Sequence, residues 1–270
     1  DVRIYNRTLN SAEIQALYNQ VGHCEIETPE DYYLYYKLDE NPHTTISDSF
    51  SGASIDTNLW SVSPDASVSS GKLIINHAPN TIWRGITSKF QFEDDFDAKI
   101  EYSNLNFPVC SFSAVGINFY DFISAGSYRN IERRFFSSSN KLFSDSPGGD
   151  ISDSSTNGIF RMVKTEGKVY VYRSDGITEL SNNGFSNYIV NITVYGRDDN
   201  NGCSAYSEFD NFVVKIANDS IDYSSHGWNG NVRGFPVQDS GKSGNAFRFD
   251  GIDDYIISDE QVSSRYPSFF

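Results

Sequence analysis

Apolar residues return at every second position through most of this chain, and that rhythm leaves few folds open to it. In FDAKIEYS, Phe96, Ala98, Ile100 and Tyr102 alternate with the polar Asp97, Lys99, Glu101 and Ser103. Successive side chains on a strand point to opposite faces, so such a stretch is a strand with one buried and one wet face. YIVNITVY sets Tyr188, Val190, Ile192 and Val194 on one face, and FDNFVVKI does the same with Phe212, Val214 and Ile216. Glycine takes positive φ at no steric cost, so Glu166-Gly167, Asp175-Gly176 and Asn201-Gly202 mark turns. GIFRMVKTEGKVYVYRSDG therefore reads as a hairpin followed by a second turn. Many short strands with almost no helix predict an all-β chain, an antiparallel β-sandwich.

One segment has helical spacing. Ile14, Leu17 and Tyr18 recur at i, i+3 and i+4, and Asn10 with Glu13 forms a capping box, in which each side chain satisfies an orphan backbone N–H. HCEIETPED then reads as a linker, with a boundary near His23. The 270 residues, 15% aromatic, suffice for one large core or two ordinary ones. A net charge of −15 repels phosphate backbones and anionic headgroups, which argues against nucleic acid as a partner. No stretch approaches the roughly 20 apolar residues of a membrane-spanning helix. No basic and apolar leader follows Asp1, so any export signal is expected outside this stretch. Cys24, Cys110 and Cys203 lack zinc-type spacing. Their odd number allows at most one internal bridge. Cys110 with Cys203 is the first pair to test, and three unpaired thiols stay equally open. Asn6, Asn191 and Asn218 head sequons that arise by chance in a chain this rich in Asn and Ser.

The two ends carry a resemblance. DVRIYNRTLNSAEIQALYN resembles the closing strand and final helix of laminin-G-like domains of the concanavalin A-like superfamily. NDSIDYSSHGWNGNVRG with GKSGNAFRFDGIDDYI resembles the N-terminal part of the same family. Together they cover under a third of the chain. The middle, with SDSFSGASIDTNLW, GKLII, FRMVKTEGKVYVYRSDG and YSEFDNFVV in that order, resembles a more divergent concanavalin A-like sandwich of the glucanase type. The resemblance implies a jelly roll and four segments. Residues 1–22 would end one laminin-G-like domain, and 23–46 would be a linker with the first strand of a second. Residues 47–217 would be a sandwich, and 218–270 a truncated laminin-G-like start. YYLYYKLDE looks like a first strand that usually runs directly into the loop seen here at Asn218, so the sandwich is expected as an insertion. Tandem modules are the alternative. The chain is expected to be cut from a longer multidomain protein, with neighbouring domains as partners and apolar surface exposed at both ends.

Enzymes of the glucanase type carry Glu-x-Asp-x-x-Glu on one strand, where alternate positions aim carboxylates into one cleft. No such run occurs. Glu93, Asp94, Asp95 and Asp97 read as a solvated turn. Asp199, Asn201, Gly202 and Glu208 match parts of a calcium loop, but Arg197 at its first position and the flanking strands exclude an EF-hand. A looser structural calcium site is expected around Asp219, Asp222, Asp253 or Asp254, with no cofactor required for function. His23, His43, His77 and His226 are scattered, and nucleophile-elbow and phosphate-loop motifs are absent. Aromatic faces stack on sugars while their polar tips bond hydroxyls. Trp83, Arg84, Tyr120, Tyr128, Arg133 and Trp228 are thus the carbohydrate-binding candidates, and Trp60 belongs to the core. The expected function is a non-catalytic module that binds polysaccharide or glycoprotein glycan, or serves adhesion, at the cell surface or outside the cell. The alternatives are a glycoside hydrolase or lyase with an unrecognised carboxylate pair, and a structural spacer.

Overall fold

The computed structural model describes residues 2–5, 8–19, 32–36, 38, 40–79, 83–92, 95–107, 112–121, 128–136, 139–145, 148–165, 167–184, 190–198, 202–220, 228–241, 244–252 and 254–258. The chain divides into two compact units, a large one over 45–216 and a small one made of 1–44 with 217–270.

The large unit is a sandwich of two antiparallel sheets. One runs in the order Gly148–Ser152, Ser139–Asp145, Tyr128–Phe136, Phe112–Asp121, Val190–Arg197, Arg84–Ser88, Trp60–Val62. The other runs Glu179–Gly184, Lys168–Tyr172, Gly158–Thr165, Phe96–Asn106, Ala205–Ala217, Lys72–His77, Ala66–Ser69, with His43–Asp48 also paired to Ala205–Ala217. Alternation builds this core as expected. Phe96, Ala98, Ile100 and Tyr102 are buried, facing Val115, Ile117 and Phe119 of the opposite sheet in a single cluster. Phe96 stacks on Phe119 at 4.6 Å between ring centres. The hairpin closes at Gly167, with φ +70°, and the next turn at Gly176, also +70°. Trp60 is fully buried, and its Nε1 donates to Asp48 Oδ2 at 2.9 Å.

Two polar contacts also clasp the sandwich. Arg133 points into the interior and pairs with Asp153 Oδ2 at 2.9 Å. Ser174 Oγ donates to the same oxygen and Tyr102 donates to Ser174, so the chain of bonds spans both sheets. Burial alone would raise the Asp153 carboxyl, but hydrogen bonds from Ser155 and Ser174 and the Arg133 charge outweigh it and hold it below the usual value. His77, also fully buried, lies between Asp65 at 3.6 Å and Asp198 at 3.9 Å. Cys203 is disulfide-bonded, while Cys24 and Cys110 fall outside the described residues.

The small unit joins distant pieces of sequence. Val2–Tyr5 pairs with Tyr32–Tyr36, and Asp219–Ser220, Gly230–Arg233 and Tyr255–Ser258 form a three-stranded sheet. Tyr36 and Leu38 share a core with Val232 and Phe247, and the Tyr36 hydroxyl donates to the Trp228 carbonyl at 2.9 Å. Asn218 stitches the crossover, donating from its backbone N to Pro42 O and from Nδ2 to Asn41 O, while its Oδ1 accepts from Thr44. The helix Ser11–Asn19 starts at the expected cap. Asn10 Oδ1 accepts from the N–H groups of Ala12 and Glu13, and Glu13 Oε2 accepts from that of Asn10 at 2.8 Å.

Two expectations need correction, and one sequon is closed. Asp95 is buried, 5% exposed, and Asp97 takes a two-pronged bond from Arg161, so this acidic run is not simply a solvated turn. Asn191 is buried, and its Nδ2 donates to Ser88 O and Phe90 O, which closes that sequon to glycosylation in the folded chain. Arg133, expected on a loop-rich rim, faces the core because its strand partners Val115 and Leu142 do.

Candidate functional site

The seven-stranded sheet has an unusual outer face. On Phe112–Asp121 the odd positions Val115, Ile117 and Phe119 face the core, which turns Ala114, Gly116, Asn118 and Tyr120 outward. Register extends these positions into rows across the sheet. One row reads Tyr195, Gly116, Glu132, Phe143, Asp150; the next reads Arg197, Ala114, Arg134, Lys141, Ser152. On the other side lies Thr87, Thr193, Asn118, Asn130.

Glu132 sits at the centre of this face and is fully buried there. The Tyr195 hydroxyl donates to its Oε2 at 2.5 Å, and the Arg197 fork donates to both oxygens, at 3.1 Å from Nε and 2.9 Å from Nη2. Arg134 Nη1 lies 3.8 Å away. Tyr195 and Glu132 are on strands separated by a third, and they meet because Gly116 stands between them without a side chain. A Cβ at that position would fall 2.3 Å from Ile131 O and 2.7 Å from Glu132 Cβ. Ala114 leaves similar room between Arg197 and Arg134. Small residues on the central strand thus let long ones from its neighbours close over a carboxyl group.

Aromatic rings hold the two guanidinium groups flat. Arg197 lies over Trp83 at 4.9 Å and Phe112 at 4.8 Å, and Arg134 over Phe143 at 3.6 Å and Phe136 at 5.3 Å. Trp83 also meets the Tyr195 ring at 4.4 Å between centres. Its φ is +51°, a region that costs a bulky residue energy and that clusters at functional sites.

Among the expected carbohydrate-binding residues, Trp83 and Tyr120 belong to this face, and Tyr120 is 40% exposed. Arg84 is exposed at the start of its strand. Tyr128 is the cross-strand partner of Tyr120, although its side chain lies outside the described residues. Arg133 is on the opposite face, and Trp228 packs on the core of the small unit. Of the expected calcium ligands, Asp222 and Asp253 lie outside the described residues. Asp219 is exposed in a strand, and Asp254 Oδ2 accepts from the Asp250 N–H at 2.8 Å. Among the described residues, no group of three or more His, Cys, Asp and Glu is placed to hold a metal, and no helix is long and apolar enough to cross a membrane. Glu132, Tyr195, Arg197 and Arg134 were not expected; the small pair Ala114 and Gly116, alternating with core residues in FSAVGINFY, was the signal for them.

Neither a family model nor a curated protein matches the chain. Solved structures resemble it in fold. SCLam, a non-specific endo-β-1,3(4)-glucanase of glycoside hydrolase family 16, is 8% identical with a TM-score of 0.47, covering 68% of this chain and 95% of its own. The κ-carrageenase of Pseudoalteromonas carrageenovora is 12% identical, TM-score 0.44, covering 67% and 98%. Rv0315, a pseudo β-1,3-glucanase of Mycobacterium tuberculosis, is 13% identical, TM-score 0.43, covering 64% and 98%. At such identity the likeness concerns the fold, and a fold hosts many functions. The expectation of a non-catalytic module took no account of the carboxyl group found here: the sheet's outer face holds a glutamate among aromatic and arginine side chains.

Proposed function

We propose that the large unit is a glycoside hydrolase of the jelly-roll type, with the outer face of the seven-stranded sheet as its substrate face. The observation that supports this is Glu132, placed at the centre of that face and oriented by Tyr195 and Arg197. Accepting from one hydroxyl and two guanidinium N–H groups, Glu132 is arranged as an acceptor, which suits a nucleophile or base rather than an acid. Glycoside cleavage needs a second carboxyl group, and Asp150 stands in register with Glu132 in the same row, two strands away. The substrate is a polysaccharide. An extracellular location agrees with the disulfide at Cys203, since such bonds persist in oxidising compartments.

The test is release of reducing ends from a panel of neutral and acidic polysaccharides by the intact chain and by Glu132→Gln. Cleavage by the parent that falls at least about a hundredfold in the variant, with melting temperature kept within a few degrees, supports the proposal. A parent that cleaves nothing in the panel, or a variant as active as the parent, refutes it.

For the small unit we infer a laminin-G-like module interrupted by the large one. Its support is the shared core of Tyr36, Leu38, Val232 and Phe247, which draws on both ends of the chain. Residues 1–44 joined directly to 217–270 by a short linker should then fold cooperatively; a chain that stays unfolded would count against it.

A further inference from the structure

In the row beside Glu132, Arg134 and Lys141 stand directly opposite each other on adjacent strands, and Arg197 occupies the same row two strands from Arg134. Like charges at directly opposed positions repel, so such a pair weakens a sheet. Both cations lie over one ring, Phe136, at 5.3 Å and 5.5 Å from its centre, and Arg134 also rests on Phe143 at 3.6 Å. A ring face attracts a cation but has no net charge to neutralise it. The Glu132 carboxylate is already shared: it takes the Tyr195 hydroxyl and the Arg197 fork, and lies 3.8 Å from Arg134. With Asp150 included, the two neighbouring rows hold three cations and two carboxyl residues, in a chain whose net charge is −15. This part of the face is positive where the protein as a whole is strongly negative.

The pair is within reach of solvent. Arg134 keeps 14% of its side chain exposed, Lys141 is half-buried, Phe136 is 41% exposed, and Ser152 is exposed at the end of the row. Arg134 follows Glu132 by two residues on one strand, about 7 Å along the face. On the other side of Glu132 the row of Thr87, Thr193, Asn118 and Asn130 carries no charge, so the face is asymmetric about its carboxyl group. We infer that Arg134 and Lys141 form a subsite for an acidic sugar unit, whose sulfate ester or carboxylate is held by the two cations on the Phe136 side of Glu132. Such an anion replaces a like-charge contact with two charge-assisted ones, which a neutral unit cannot do. This rests on the substrate face proposed above and adds that the polymer bound there is acidic.

Binding and hydrolysis separate the two proposals. The full chain carrying Glu132→Gln, which stops turnover, is compared alone and combined with Lys141→Gln or Arg134→Gln. Each is titrated with polygalacturonate and alginate for the carboxylate, fucoidan and κ-carrageenan for the sulfate ester, and laminarin and barley β-glucan as neutral counterparts. The net charge of −15 repels polyanions at large, so acidic binding reports a local site. The expected result is binding of at least one acidic polymer that weakens about fivefold with Lys141→Gln and about tenfold with Arg134→Gln, and that falls as salt is raised. Lys141→Glu, with an unaltered near-ultraviolet spectrum to show that it folds, should abolish acidic binding and leave any neutral binding in place; a merely structural Lys141 would move both together. The acidic polymer that binds assigns the anion as carboxylate or sulfate. Binding of neutral polymers alone, binding of none of the six, or acidic binding indifferent to both substitutions overturns the subsite. With Glu132 restored, hydrolysis confined to neutral polymers also sinks the subsite but leaves the enzyme. Acidic binding that depends on residues 134 and 141 without hydrolysis sinks the enzyme and leaves the subsite.

Discussion

Tyr195→Phe removes one atom from the Glu132 cluster and keeps the ring that meets Trp83. The lost bond is short, at 2.5 Å, and its acceptor is a fully buried carboxyl group. Hydrogen bonds to charged groups contribute about 1.5–3 kcal/mol. For a unit the size of 45–216, each kcal/mol shifts the melting temperature by about 2–4 °C, so the variant should melt about 3–12 °C lower. Differential scanning calorimetry at neutral pH reads this directly. A cycle with Glu132→Leu isolates the bond. With leucine at 132 the Glu132 acceptor is already gone, and Tyr195→Phe should then cost under about 0.5 kcal/mol. An unchanged melting temperature in the single variant, or a cycle with no coupling, would show that Glu132 is not held as described. The orienting role assigned to Tyr195 would fall with it.

Two further outcomes follow from the same geometry. Gly116→Val places a side chain where Tyr195 crosses to Glu132, against backbone that a Cβ would approach to 2.3 Å, and should cost at least about 2 kcal/mol in urea unfolding; a neutral result refutes the close approach. Arg133→Met breaks a buried pair with Asp153 and should cost about 3–5 kcal/mol, most of it at neutral pH. Because the folded Asp153 carboxyl sits below its usual 3.8, its contribution is complete above about pH 4 and is lost as pH falls through the folded value. Urea midpoints from pH 5 to pH 2 should therefore converge for the two proteins, and parallel curves would contradict the assignment.

Local pattern carried the fold. The alternation in FDAKIEYS names the core side of Phe96–Asn106, the glycines at 167 and 176 name their turns, and Asn10 with Glu13 names the helix start, because each depends on neighbours in sequence. The outer face was hidden for the opposite reason. Tyr195 and Glu132 are 63 residues apart, and nothing local to either announces the other. The strand YRNIERRFF also breaks the usual pattern, turning Arg133 inward to meet Asp153 and burying Glu132 outward beneath arginines, so polarity there does not report exposure. Binding candidates chosen for aromatic character alone found Trp83 and Tyr120 but missed the carboxyl group beside them. Arg133 looked like a rim residue because nothing in its own neighbourhood of sequence shows that Asp153 waits inside.

The central claim is that glycan is cut on this face at Glu132. Its most direct test is proton NMR of a polysaccharide incubated with the parent chain and with Glu132→Gln, followed over time so that newly released anomeric ends are seen. The account predicts that the parent releases such ends and that the variant loses that signal while remaining folded. Hydrolysis undiminished in Glu132→Gln would contradict the site itself.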